Sequence, residues 1–479
     1  MLHSIKIKKL FNKEDIKIDF NKRSVIITGD NGNGKTTILN VLYNTLIGNY
    51  STVNVKFESV SIDFAPDFEF MDQVKVDKKV IDNGEEISIT YNYKNQSLKV
   101  ILRVLNIPKS IILDKIIKAE NSKEDILYEG KNRDEQFINS EKEVSIITLL
   151  ELIEENDFRS KLTKINESLL YFPTYRRIDL DIESYYASLF DSPIMTLLQR
   201  EQNEKKKKFG IKDRRVIGMS NSDIEDILKE YTRTLNEVSS KNLDKLLRDF
   251  TKNTMLEMNT PVTDIKMSSL DKNLEILEQL EKINSSLNLE IDNDTLQKIS
   301  SQYEENINFL KKFKNSRISS DKVNQFFEVM LAVPLMQVLQ NLQKSYSIYN
   351  EQMKNELASY KYISDNLEDF SGRKLKLLKT ELNEFKFQKV GTEIEKFSDF
   401  STGEKQLITF LVYSAIKLPD HTPSLIIIDE PELSLHIKWQ DKLLKNLLKK
   451  NNIQILSATH SPYILNRSVD SSIIRKVEC

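Results

Sequence analysis

Glycine, proline, cysteine and histidine are all scarce in this chain. Its 479 residues include 11 Gly and 10 Pro, well under half the combined share usual in globular proteins. The one cysteine is Cys479, which excludes a disulfide framework and a cysteine-based zinc site and makes the cytoplasm the expected compartment. Histidine occurs at positions 3, 421, 436 and 460, too scattered for a histidine-rich metal centre. Neither charge sign dominates: 70 Lys+Arg against 72 Asp+Glu give a net charge of −2, so bulk charge does not point to nucleic acid or an anionic membrane. No apolar run approaches the length of a membrane span, and Met1-Leu2-His3-Ser4 does not open a signal peptide, so no membrane partner is expected. What is present is 39% hydrophobic and 30% charged residues, a composition for long soluble helices and an adequate core. The length suits about two to four domains.

The few glycines are unevenly placed. Gly29, Gly32 and Gly34 fall within six residues, whereas 219–371 has none and holds only Pro261 and Pro334. That glycine-free stretch, rich in Leu, Lys, Glu, Asn and Ile, reads as long helices. Leu274, Ile276, Leu277, Leu280, Ile283 and Leu287 form one apolar stripe at helical spacing. Phe326, Phe327, Met330, Leu331, Leu335, Val338 and Leu339 form a second, with Pro334 expected to kink or restart the helix. Leu357, Tyr360, Tyr362 and Ile363 start a third. Residues 185–385 are therefore expected to form an inserted arm of helical hairpins or short coiled coil.

The flanks differ in kind. Ile5, Ile7, Ile16, Ile18 and Phe20, and later Ile87, Ile89, Tyr91, Tyr93, Leu98, Val100 and Leu102, alternate as antiparallel strands do. Ser24–Thr28, 424–428 and 453–458 are instead continuous apolar runs of the buried parallel type. The predicted fold is α/β: a mixed sheet with an N-terminal antiparallel lobe, assembled from 1–184 and 386–479 around the 185–385 insertion.

Gly29-Asp30-Asn31-Gly32-Asn33-Gly34-Lys35-Thr36 matches G-x-x-x-x-G-K-[ST] in full, between an apolar strand and the helical run Thr37-Ile38-Leu39. Glycines there let backbone N–H groups converge on phosphate oxygens, and the helix start adds its dipole. Lys35 is placed to neutralise β- and γ-phosphates and the Thr36 hydroxyl to ligate Mg²⁺. Gly29, Asn31, Gly32, Asn33, Gly34, Lys35, Thr36 and Thr37 are the expected nucleotide-binding residues, with ATP and Mg²⁺ as cofactors. The strand Leu425-Ile426-Ile427-Ile428 ends in Asp429-Glu430, carboxylates suited to holding the cation and polarising an attacking water. Pro431-Glu432-Leu433-Ser434-Leu435-His436 follows, then Thr459-His460-Ser461-Pro462 after the next apolar run. Upstream, Phe400-Ser401-Thr402-Gly403-Glu404-Lys405-Gln406 opens a helix, a second anion-binding surface.

Together these motifs resemble an ABC-type ATPase of the SMC/RecF branch, over about 1–65 and 390–465. Residues 400–406 are similar to the ABC signature, 425–430 to the Walker B strand, 431–436 to the D-loop and 459–460 to the switch histidine. The resemblance implies two heads closing on ATP, with Ser401 and Gly403 on the γ-phosphate held at the other subunit's Lys35. It also implies Asp429 and Thr36 as metal ligands, Glu430 as catalytic base and His460 as γ-phosphate sensor, with Lys35 completing the catalytic set. Asp399 and Glu404 would assist capping by analogy, and Phe11 or Phe20 either stacks on adenine or, the favoured reading, packs.

The 365 residues between Lys35 and Ser401 exceed a transporter-type insertion and fall short of SMC arms. Ser168-Leu169-Leu170-Tyr171-Phe172-Pro173-Thr174-Tyr175-Arg176-Arg177 resembles a segment of defence-associated ATPases of OLD, Septu and PARIS type. Arg176 and Arg177 meet phosphate or a carboxylate, or tie the strand to the arm by an ion pair; no Q-loop glutamine is assigned. OLD-type enzymes carry a TOPRIM nuclease after the switch, but 17 residues follow Pro462 here, so no nuclease in cis is expected. Asp179-Leu180-Asp181-Ile182-Glu183 and Asp292-Asn293-Asp294 read as solvated charge rather than metal sites, and Lys205–Lys208 as an exposed loop before a nucleic-acid patch. Trp439 is expected in the core or at a dimer contact. The resulting expectation is an antiphage ATPase subunit, a homo-oligomer of at least a head-to-head dimer, with an effector nuclease in trans and a phage-encoded trigger. The alternative is a RecF-like DNA-binding ATPase of repair, so nucleic acid stays open as a partner.

Overall fold

The computed structural model describes residues 1–30, 32–48, 55–81, 84–105, 113–119, 126–128, 157–174, 217, 221–258, 276–287, 290–313, 323–380, 384–391, 396–465 and 471–475. They divide into two compact units, Met1–Leu228 with Tyr362–Cys479, and Lys229–Lys361.

The first unit contains two large sheets, and the hydrophobic pattern decides which strand joins which. β1 (Leu2–Leu10), β2 (Glu14–Asp19), β4 (Ser59–Phe64), β5 (Gln73–Ile81), β6 (Gly84–Tyr93), β7 (Gln96–Leu105), β8 (Leu113–Ala119) and β9 (Ile126–Tyr128) form an eight-stranded sheet in the order β2-β1-β4-β5-β6-β7-β8-β9. Every pairing in it is antiparallel. Its alternating apolar residues, among them Ile5, Ile7, Val60, Ile62, Val74, Val76, Ile89 and Val100, are buried on one face, as expected for a sheet covered on one side.

β3 (Ser24–Thr28), β10 (Leu169–Phe172), β13 (Ser424–Asp429), β14 (Ile453–Ala458) and β15 (Ser471–Arg475) form a separate five-stranded sheet, β10-β13-β14-β3-β15. All its pairings are parallel. This corrects the expected mixed sheet: the strand before the phosphate loop joins parallel neighbours only among the described residues, and the antiparallel strands close their own sheet. The reason lies in burial. All six residues of β13 and of β14 are buried, so both faces need cover, which parallel strands with helical crossovers provide. One face (Val25, Ile27, Leu169, Tyr171, Leu425, Ile427, Leu456, Ala458) shares a core with α1 (Lys35–Ile47), α2 (Asp157–Glu167) and the antiparallel sheet. From the other face Phe172 meets Phe410 edge-on, with centroids 4.7 Å apart, and Tyr413 at 6.3 Å.

α3 (Asn221–Met258), α4 (Ile276–Leu287), α5 (Asn293–Phe313), α6 (Val323–Glu356) and α7 (Ala358–Ser371) are the described helices of the central region. The second unit's boundaries fall inside α3 and α7, so it is shorter than the expected 185–385 insertion. In it, Leu246, Ile283 and Tyr346 share a small core. Of the expected kink or restart, the restart does not occur: α6 runs through Pro334 as one helix. Asp292 caps α5, accepting from the Thr295 N–H at 2.7 Å and the Thr295 hydroxyl at 2.8 Å, a structural use for that acidic cluster. β11 (Leu375–Lys379) and β12 (Phe385–Lys389), inside the expected arm, form a two-stranded hairpin of the first unit. α8 (Thr402–Val412) and α9 (Ile437–Leu447) also belong to the first unit. No described helix is long and apolar enough to cross a membrane.

Ile427, fully buried in β13, tests this core. Ile427→Ala is expected to cost about 2–5 kcal/mol in denaturant unfolding, while Val80→Ala, at 87% exposure, should stay within about 0.5 kcal/mol of wild type.

Candidate nucleotide-binding and hydrolysis site

The parallel sheet ends β10, β13, β14 and β3 side by side, so the segments after them share its carboxyl edge, where α/β sheets bind ligands. After β3 the chain turns through Gly29, Gly32 and Gly34, at φ 151°, 86° and 71°. Gly34 caps α1 in the left-handed region with no side-chain hydrogen bond, leaving the first-turn N–H groups for an anion. A Cβ there would sit 3.1 Å from the Phe11 ring, so both conformation and space ask for glycine. Lys35 is buried, and its ammonium donates to the Gly29 carbonyl at 3.0 Å and the Asp30 carbonyl at 2.8 Å. That holds the cation within the loop rather than out in solvent. Thr36 and Thr37 follow in the first turn of α1. Asn33 Nδ2 lies 3.5 Å from where a Gly29 Cβ would stand. Asn31 is outside the described residues.

Asp429, at the end of β13, is 3% exposed. Burial lifts its carboxyl above the usual range, and hydrogen bonds from Thr174 and Thr36 oppose the rise in part. Its Oδ2 accepts from the Thr174 hydroxyl, while Oδ1 is buried with no hydrogen-bond partner. A hydroxyl and a carboxylate with a spare oxygen are the hard oxygen donors that Mg²⁺ takes, so Thr36 and Asp429 fit the cation. Tyr171, whose hydroxyl donates to Asn40 Oδ1 at 2.9 Å, is raised by burial first and then by the Asp429 charge.

Glu430 occupies the left-handed region at φ 46°, ψ 58°, uncommon for a residue with a side chain and of the kind found at functional sites. Its N–H donates to the Ala458 carbonyl at 2.8 Å, and its Oε1 lies 4.0 Å from His460 Nε2. Both side chains are partly exposed, so water can reach them. Lys35, Thr36, Asp429, Glu430 and His460 thus occupy neighbouring strand ends.

The signature residues are placed differently. Ser401 caps α8: its hydroxyl accepts from the Glu404 N–H, and the Glu404 carboxylate accepts from the Ser401 N–H and hydroxyl, each at 2.8 Å. Burial works against ionisation of Glu404, yet Ser401 and Lys389, 3.1 Å away, together hold its carboxyl below the usual range. Gly403 packs on the D-loop: a Cβ there would sit 2.4 Å from the Ser434 carbonyl. The Trp439 indole closes this corner, donating to the Phe370 carbonyl at 2.7 Å. Among the described residues, no hydrogen bond joins Ser401 to the phosphate loop.

Residue-by-residue reading missed Thr174, which reaches Asp429 from the segment after β10, and Glu432, which binds the His460 turn. Both stood in quoted motifs, but only the strand order shows what they face. Phe20 is core, whereas Phe11 is 46% exposed beside Gly34. Arg176, Arg177, Lys205–Lys208 and Asp179–Glu183 lie outside the described residues.

Gly403→Ala would drive a methyl into the Ser434 carbonyl. A loss of about 1–3 kcal/mol is expected in thermal unfolding, with a fall in ATPase rate larger than the lost folded fraction explains.

The chain is similar to the Smc head domain with an extended coiled coil, solved bound to the C-terminal domain of ScpA, from Pyrococcus furiosus. Identity is 11%, with 99% of this chain and 92% of that one covered, at a TM-score of 0.37. It is also similar to the Smc head domain with a coiled coil and joint from Pyrococcus yayanosii: 14% identity, 99% and 94% covered, TM-score 0.33. No curated protein matches. A family model does match, across residues 24–466, from the first apolar parallel strand to beyond the His460 turn. The chain therefore belongs to the family described as AAA domain, putative AbiEii toxin, Type IV TA system, and is an AAA-type P-loop ATPase domain.

Proposed function

We propose that the protein is an ABC-type ATPase whose two heads close on ATP, and that it works in an antiphage defence complex holding a separate effector nuclease. The observation that carries the catalytic part is the meeting of Lys35, Thr36, Asp429, Glu430 and His460 at one sheet edge. In this reading the α1 N-terminus and Lys35 bind the β- and γ-phosphates. Thr36 and Asp429 would hold Mg²⁺, which when bound supplies positive charge to the phosphate oxygens. Glu430 takes the proton of the water attacking the γ-phosphorus, and His460, whose Nε2 lies 4.0 Å from Glu430 Oε1, senses the γ-phosphate beside it.

Dimerisation is supported by the signature helix. Ser401 caps α8 through Glu404, and its partners and those of Gly403 lie in α8 and the D-loop rather than on the chain's own phosphate loop. A second copy bringing its phosphate loop there would complete both sites. The defence setting rests on the resemblance of the sequence Pro173-Thr174-Tyr175-Arg176-Arg177, and the family's description of a putative toxin in a type IV toxin–antitoxin system fits action with a partner protein. The helical unit Lys229–Lys361 would bind effector or trigger.

Lys35→Ala is expected to abolish nucleotide binding in calorimetry. Glu430→Gln should bind ATP normally, hydrolyse it at least about 100-fold more slowly and run as an ATP-dependent dimer in light scattering. Wild-type hydrolysis by Glu430→Gln would overturn the assignment. Co-purification with a nuclease encoded beside it tests the defence reading, and a complex lacking any such subunit would count against it.

A further inference from the structure

Glu432 is absent from the hydrolytic set, yet its carboxylate is among the most heavily bonded side chains at the sheet edge. The left-handed backbone at Glu430 turns the chain into the short helical turn Pro431–Leu433, which brings Glu432 back beneath the segment after β14. There its Oε2 accepts from the Thr459 hydroxyl at 2.7 Å, and its Oε1 from the His460 N–H at 2.6 Å and the Ser461 N–H at 3.2 Å. Three consecutive residues thus donate to one carboxylate, and hydrogen bonds to an ionised acceptor are the stronger kind.

A second set of bonds runs alongside. Ser461 Oγ donates to Gln440 Oε1 at 2.6 Å, and Gln440 Nε2 donates to the carbonyls of Leu435 at 2.8 Å and Glu432 at 3.3 Å. The His460 turn is therefore fastened to residues 432–440 through side chain and backbone. On its other side this D-loop segment presents the Ser434 carbonyl to Gly403 so closely that no Cβ fits between them. One short segment touches both the start of the signature helix and the turn carrying the histidine.

We infer that Glu432 is a positioning residue: its carboxylate sets His460 opposite Glu430 and passes displacement of the signature helix, through Ser434, to the histidine. This rests on the proposed roles of Glu430 and His460 and adds a route by which contact at the signature helix switches hydrolysis. In this role Glu432 acts through His460 rather than on the nucleotide.

A double-mutant cycle on the full-length protein tests it, with kcat and KM for MgATP, nucleotide Kd and melting temperature measured for each variant. Glu432→Ala is expected to lower kcat about 30–100-fold while Kd stays within about 3-fold, since a misplaced catalytic group costs turnover rather than binding. Glu432→Gln should recover to within about 5-fold of wild type, because its amide oxygen keeps the two N–H bonds and its NH₂ can donate to Thr459 Oγ. In a His460→Ala background, Glu432→Ala should slow turnover by no more than about 2-fold further, the non-additivity of residues acting as one unit. Multiplying losses, or wild-type kcat in Glu432→Ala, would overturn the inference and leave the hydrolytic assignment standing. Wild-type turnover by His460→Ala would instead sink the assignment of His460, and the positioning role with it. If Glu432→Ala does not fold, Glu432→Asp, one methylene short of the turn, replaces it in the cycle with the same required non-additivity.

Discussion

The parallel pairing of β10, β13, β14 and β3 is the constraint on which the site depends, because it ends four chain segments at one edge. β14 lies between β3 and β13, so the turn carrying His460 runs between the phosphate loop and the Asp429-Glu430 pair. Pairing Ile428 with Ser457 and Asp429 with Ala458 fixes how far each strand extends before its loop begins. A one-residue slip would exchange the two faces of the sheet and turn the Asp429 side chain away from Thr36. The apolar runs are thus more than core: their register aligns the side chains of the candidate site.

At that edge the chain accepts two unfavourable local states. Asp429 is buried with an orphaned oxygen, and Glu430 adopts a left-handed backbone. Each costs free energy in isolation. The two are adjacent because the chain must leave a buried strand with one carboxylate facing the phosphate loop, then reverse at once so that the D-loop can run back across β14. That reversal puts Glu432 under the His460 turn and the Ser434 carbonyl against Gly403. Phosphate loop, D-loop, switch turn and signature helix form one bonded set within the first unit.

Much of this was legible from residue order. The phosphate loop, the strand ending in Asp429-Glu430, the Ser401 cap and the 453–458 strand stand where apolar runs, glycines and capping residues place them, because each depends on neighbours within a few positions. The sheet assignment was not legible. β3 lies between β2 and β4 in the chain but joins a different sheet, a choice made by burial on both faces. Pro334 reads locally as a kink or restart, yet α6 does not restart there and continues as one helix.

Gly403 carries the same division most sharply. The sequence by itself determined that glycine follows Ser401 at a helix start, and a helix start next to glycine suits phosphate. The tertiary structure alone decided what glycine is needed for within one chain, the approach of the Ser434 carbonyl across 31 residues of sequence. Likewise the sequence determined the phosphate loop and the helix that follows it, since residue spacing fixes both. Only the fold decided that Thr174 reaches Asp429 and that Glu432 holds the turn of His460, because those contacts join residues 255 and 28 positions apart, brought together at the strand ends by sheet register rather than by local pattern.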